Sequence, residues 1–354
     1  MKTRKVQQAG GSTFTISLPR AWAKKAELTP GVRVYVQSLP DGKLLISPEN
    51  IKPLRKKTVD ITNVNSGSLE RTFVAIYLAG YNVIEFTSSK ITADQKKRLR
   101  SICHRLIGPE IVEESSNLVL IQDMSGPNEL PVKHAVQRMS LITFSMFNDS
   151  ILSFCSCDSD LATDVMERDH EVYRLYMVIS RQFKSILCGA KVIDSNASIE
   201  EYHNYRMAAS SVERIANHSH RIARNVILLH PELDEKRIAE IKKMADFAAG
   251  SFKQAVESLL TLNPELANQV VENKKEMNQL ITDFNRDYFD KSIDLSFEVM
   301  IGIRTVIDSI GRVVDYAACI GEIAMNASID VPVEAPATDD ASVDESGSKV
   351  NGRS

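Results

Sequence analysis

The chain has 354 residues, 43% of them hydrophobic, with a formal net charge of -3. That length predicts two or three domains with real cores, and no apolar run reaches the roughly eighteen residues a membrane helix needs. The N-terminus has no apolar core of a secretory signal, and five scattered cysteines form neither a disulfide framework nor a zinc-finger spacing, which predicts a cytoplasmic protein.

Charge is unevenly spread. Through Lys57 there are twelve bases against three acids, a local charge of +9 on an otherwise acidic chain. Such a basic pole is the electrostatic footprint of nucleic-acid binding. Residues 1–50 read as a small β-rich head. Val6–Gln8 and Thr13–Leu18 are strand-like around a Gly10-Gly11-Ser12 turn. In the second of these Phe14, Ile16 and Leu18 alternate with polar residues, the pattern of a half-buried strand. Pro19 can open a helix over Arg20–Ala26. Val32, Val34 and Val36 mark a third strand, and Asp41-Gly42 marks a hairpin before Leu44–Ser47. So small a unit buries too little to stand alone, so a dimer is expected.

Residues 51–57 read as a basic linker, and 58–124 as a separate small α/β unit. Its strands are Thr58–Thr62 and Asn82–Thr87, its helices Ser68–Ala79 and Ile91–Ile107, and Ile111–Glu114 with Leu118–Gln122 forms a closing hairpin. No phosphate-loop or dinucleotide glycine pattern is present, and its function is not legible.

From 131 to 326 the pattern is helical, with breaks near Asp158, Gly189–Ser198, His230–Asp234, Asn263-Pro264 and Ser292–Asp294, giving six amphipathic helices. The region repeats. At an offset of 105, Val136, Met139, Phe147 and Ile151 recur as Ile241, Met244, Phe252 and Val256. Val172, Leu175, Ile179 and Phe183 recur as Met277, Leu280, Phe284 and Tyr288. In the last helix of each half the offset is 98, matching Arg214, Asn217, His218 and Ile222 with Arg312, Asp315, Tyr316 and Ile320. Two tandem three-helix bundles are expected, over 131–230 and 234–326. The tail 327–354, acidic and without aromatics, is expected to be disordered.

The head resembles the AbrB/SpoVT/MazE family of swapped-hairpin DNA-binding domains, through its basic start MKTRKV, then GGSTFTISLPRAWAKK, the ELTPGVRVYV turn and strand, and the DGKLLISP hairpin. The resemblance implies an interlocked homodimer on double-stranded DNA. Arg4, Lys5 and Arg20 would reach phosphates or base edges, Ser12 and Thr13 would add contacts, and Lys24 would neutralise the flank. Lys24 and Lys25 equally suit a solvated helix face, and Trp22 suits the core. Bases supply salt-dependent affinity, whereas only groups at base edges supply specificity.

The helical half resembles PhoU, the phosphate-uptake regulator with two three-helix repeats, through SSVERIANHSHRIARNV at 210–226 and DSIGRVVDYAACIGEIA at 308–324. These segments look like the family motif in which Glu and Asp one turn apart bind metal. Each copy keeps one carboxylate of that pair: Glu213 with Asn217, and Gly311 with Asp315. Asp308, Asp315 and Glu322 recur every seven residues opposite the core stripe, so with Glu213 they are the candidate ligands of a divalent metal. Asp169 has Lys274 as its counterpart, against a metal there. The fold expected is therefore multidomain: a swapped-hairpin β head, an α/β middle unit and an all-α PhoU-like body. Its implied role is a one-component transcriptional regulator of phosphate uptake, of a kind seen in archaea, with a phosphate-transporter ATPase or a sensor as a further partner. The alternative is an adaptor acting on a phosphate transporter without sequence-specific DNA binding. No catalytic set is visible, so no enzyme is expected.

Overall fold

A computed structural model describes residues 3–11, 13–38, 43–48, 55–125, 130–187, 198–229, 234–289 and 296–329. Ser12, the Asp41-Gly42 turn, most of the linker and the tail beyond 329 lie outside them. The chain divides into two compact units, Met1–Arg55 and Lys56–Ser354.

The described residues of the first unit form two separate hairpins and one short helix. Strand β1 (Val6–Ala9) pairs antiparallel with β2 (Thr13–Ile16), Val6 opposite Ile16 and Ala9 opposite Thr13. Gly10 and Gly11, at φ 63° and 79°, supply the left-handed backbone of the turn. Helix α1 (Arg20–Lys25) follows Pro19 and closes where the N–H of Leu28 bonds back to Ala23, with Glu27 left-handed. Strand β3 (Val34–Ser38) pairs antiparallel with β4 (Leu44–Pro48). No described residue of this unit is buried.

The second unit begins two residues earlier than the sequence suggests. Strand β5 (Lys56–Asp60) starts within the expected linker, where Lys56 pairs in register with Val83 of the parallel strand β6 (Val83–Thr87) and its ammonium lies 2.5 Å from Glu85. The strand stops at Asp60, whose side chain accepts the N–H of Thr62 at 2.8 Å, just before left-handed Asn63. Helix α2 (Ser66–Leu78), capped by Asn65, carries the crossover between the parallel strands β5 and β6. Helix α3 (Ala93–His104) opens on a reciprocal Thr92–Gln95 capping box, so Ile91 lies outside it. Strands β7 (Pro109–Glu114) and β8 (Leu118–Asp123) complete a sheet ordered β5-β6-β8-β7, with a bulge between Ile111 and Glu113. Phe73 and Phe86 meet edge to face at 5.7 Å in its core. Gly108, at φ 99°, is obligatory, since a Cβ there would lie 2.2 Å from the Asp123 carboxylate.

The sheet shares its core with the helical region. Met177 of helix α5 (Ser159–Leu187) belongs to that core, and Tyr173 and Tyr176 pack against it. The Arg181 guanidinium is paired with Asp123 and stands 4.4 Å over the Tyr77 ring. The α/β segment and the helical body are accordingly one compact unit, where the sequence pattern alone suggested a separate domain.

The body adds α4 (Val132–Ser156), α6 (Ile199–Leu229), α7 (Glu235–Thr261), α8 (Pro264–Phe289) and α9 (Phe297–Ile329). Helix α9 runs three residues into the expected tail. Helices α4, α5 and α6 pack as one triplet and α7, α8 and α9 as the other; α6 lies on α9 and α4 on α7, so both triplets share one core. The duplication holds at the level of single hydrogen bonds. Left-handed Cys157 ends α4, its N–H bonded to Ser153 O, while Asp158 Oδ1 accepts the N–H of Leu161 at 2.9 Å. Left-handed Leu262 ends α7, its N–H bonded to Ser258 O, while Asn263 Oδ1 accepts the N–H of Leu266 at 3.0 Å. Cys157 is therefore a helix stop whose counterpart is Leu262. His218 and Tyr316, equivalent under the duplication, lie ring to ring at 5.8 Å, so the repeat axis passes through the α6–α9 contact.

Candidate nucleic-acid interface and carboxylate faces

The head's chemistry comes from its short elements. Arg4 and Lys5 lead into β1, Thr13 opens β2, Arg20 is the first residue of α1, and Lys24 lies one turn further on the same helix face; all five are exposed. Ser12 lies outside the described residues. Because Lys56 and Lys57 belong to β5, the head proper keeps ten bases against three acids, +7. Its strands also expose large apolar side chains, Phe14 at 71% and Tyr35 at 58%, with Ile16, Val36 and Leu44. Trp22, read as a core residue, is only partly covered and belongs to a helix with no buried residue. An apolar surface of this kind beside charged groups marks an interaction face.

The four candidate metal ligands do not converge. Glu213 lies on α6, and Asp308, Asp315 and Glu322 lie along α9. Asp308 is 3.6 Å from the guanidinium of Arg221. Among the described residues no group of three or more His, Cys, Asp or Glu side chains is arranged to hold a metal ion.

In the first repeat, Asn217 hydrogen-bonds Glu213, and Asp169 of α5 stands near both Glu213 and His220, whose Nδ1 is 3.8 Å from the Asp169 carboxylate. Burial pushes both carboxyl groups up from their ordinary range; for Glu213 the Asn217 bond partly offsets this and the neighbouring Asp169 adds to it. Groups held above their ordinary 3.8 and 4.5 favour the fold only while protonated, so their burden on stability grows as pH rises through the raised values. The variant Asp169→Asn is therefore expected to raise the melting temperature more at pH 7 than at pH 4. Equal shifts at the two pH values would show that the carboxylate carries no such burden.

In the second repeat, Asp315 is held by Lys274 at 3.7 Å and Arg312 at 3.2 Å, and Gly311 stands where the first repeat has Glu213. A hard cation wants several anionic oxygens, and neither face offers the carboxylate pair one turn apart. The residues present do not fit a multinuclear metal cluster.

One functional-looking feature escaped sequence reading: the Arg181–Asp123 pair between α5 and the end of β8. A lone arginine on an amphipathic helix gives no signal of burial, and its partner is 58 residues away.

Family comparisons agree with this division. The PhoU domain model matches residues 136–226 and 241–324, the two triplets. The model of MazE, the bacterial antitoxin of antidote–toxin recognition, matches residues 7–54. None of the curated proteins compared with the chain gives a significant match. Among solved structures, PhoU from Pseudomonas aeruginosa aligns with a TM-score of 0.50 at 18% identity, covering 55% of this chain and 93% of that one. The phosphate transport system regulatory protein PhoU from Streptococcus pneumoniae aligns at 0.48 and 16% identity, covering 55% and 91%. The chain thus joins a MazE/AbrB-like N-terminal domain to a C-terminal pair of PhoU domains.

Proposed function

We propose that this protein is a DNA-binding transcriptional regulator of phosphate uptake, cytoplasmic and of archaeal type, whose MazE/AbrB-like head binds double-stranded DNA as a homodimer under control of its PhoU-type body. The observation that carries this reading is the head itself. It has a charge of +7, no described residue buried, and a row of exposed apolar side chains. A second copy of the head would cover Phe14, Ile16, Tyr35 and Val36 and bring two sets of Arg4, Lys5, Ser12, Thr13, Arg20 and Lys24 to one duplex. The PhoU domains supply the link to phosphate status, through a phosphate-transporter ATPase or sensor that contacts the body. The signal must favour one conformation of the body by differential affinity, or it shifts nothing.

The test is binding of the full chain to duplex DNA from upstream of phosphate-transport genes, measured by fluorescence anisotropy at several salt concentrations. Arg4→Ala and Arg20→Ala are each expected to weaken specific binding by about 1–3 kcal/mol if the guanidinium reads a base. If it meets only phosphate, the variant weakens all sequences alike and lowers the salt slope by about 1. Affinity at the non-specific level, unchanged in both variants, favours the adaptor reading, in which the head only dimerises.

A further inference from the structure

We propose that Lys274 is the resident cation of the second repeat and that this half of the body takes no divalent metal. The inference concerns the body alone and stands whether or not the head binds DNA. The duplication places Lys274 of α8 at the position of Asp169 in α5, Gly311 at that of Glu213, and Asp315 at that of Asn217. Three equivalent positions thus read acid, acid, amide in the first repeat and base, glycine, acid in the second. At the α5/α8 position the charge is reversed in sign, and on α6/α9 the carboxylate stands one turn further along, at the equivalent of 217 instead of 213.

The geometry shows what the reversal does. Lys274 Nζ stands 3.7 Å from one oxygen of Asp315, and Arg312 Nη1 stands 3.2 Å from the other. Both oxygens that a metal would use already face a cation. A divalent ion bound at about 2.0–2.6 Å from that carboxylate would sit close beside the ammonium, with like charges opposed. A side chain at 311 would also have to displace Ile281, whose Cδ1 would lie 2.8 Å from a Cβ on Gly311. Ile281 is the counterpart of Tyr176, which in the first repeat packs against the α/β sheet.

Donor groups do remain around the ammonium. Cys319 lies within electrostatic reach of Glu322, Lys274 and Asp315, and the three donors Asp315, Cys319 and Glu322 come at one-turn steps along α9. These three alone are not arranged to hold a metal ion, so a carboxylate in place of Lys274 would be the added donor that completes a mixed oxygen and thiol set of the kind zinc accepts.

The test is zinc titration by calorimetry and thermal denaturation on the full chain and two variants, Lys274→Asp and Asp315→Asn. In Asp315→Asn the zinc stoichiometry should equal that of the unmodified chain, since no metal is lost. Lys274→Asp should melt lower by about 2–4 °C, the size expected when one partly exposed ion pair is replaced by repulsion. It should also take up one additional zinc per chain, with recovery of that melting temperature. Loss of one zinc per chain in Asp315→Asn overturns the proposal, and so does a Lys274→Asp chain that gains no zinc.

Discussion

Arg181→Ala is expected to destabilise the second unit by about 3–5 kcal/mol, the cost of leaving one member of a buried ion pair without its partner. The side chains of Arg181 and Asp123 are only 12% and 8% exposed. The guanidinium also donates to Tyr81 O at 3.3 Å and covers the Tyr77 ring, while the Tyr77 hydroxyl donates to Ile107 O at 3.0 Å. Truncation would leave the Asp123 charge with Ser125 alone as its hydrogen-bond donor among the described residues and open the seam between the α/β sheet and α5. Denaturant unfolding measures the loss, and hydrogen exchange should show protection falling first in β8 and in α5 around Met177. The double variant Arg181→Met with Asp123→Leu should recover much of the stability, because the desolvation cost goes with the charges. A single variant as stable as the unmodified chain would mean that the pair is dispensable and the seam is held by Met177 and the two tyrosines alone.

Phe147→Ala should cost a similar amount, about 3–5 kcal/mol, by creating a cavity in the shared core. Phe147 is fully buried, and its counterpart Phe252 is 1% exposed. The duplication makes the comparison informative. Phe252→Ala should cost as much if the two halves carry equal weight in one cooperative unit. Chemical denaturation monitored by far-ultraviolet circular dichroism separates the outcomes: a single transition displaced in both variants, or two transitions in which only one half moves. The continuous packing of α6 on α9 and α4 on α7 predicts the single transition.

The body was legible because its signal is redundant. Helical periodicity and the 105-residue offset both pointed to the same buried positions, and the structure buries Val136 with Ile241, Met139 with Met244 and Val172 with Met277. The head was legible from the order of its short elements, since Gly10-Gly11 and Pro19 punctuate the chain where backbone geometry demands it. What pattern reading misplaced were boundaries set by side-chain hydrogen bonds. Asp60 ends β5 early, Asn65 begins α2 at Ser66, and the Thr92–Gln95 box begins α3 after Ile91. The junction of sheet and helices was invisible for a different reason. Tyr173, Tyr176 and Met177 continue the amphipathic pattern of α5, and nothing in one helix tells which of its apolar residues meet the bundle and which meet a sheet. Of the candidate DNA contacts, Arg4, Lys5, Thr13, Arg20 and Lys24 are exposed on the head's short elements. The carboxylate faces needed structure, because Lys274 beside Asp315 and Asp169 beside Glu213 come from other helices, α8 and α5.

In the function proposed, a dimeric head reads DNA on behalf of a PhoU-type body. Footprinting of the full chain on the region upstream of phosphate-transport genes tests it most directly. The expected result is a discrete protected segment with two-fold symmetry, lost in Arg4→Ala and Arg20→Ala. Uniform weak protection that ignores both substitutions would contradict it.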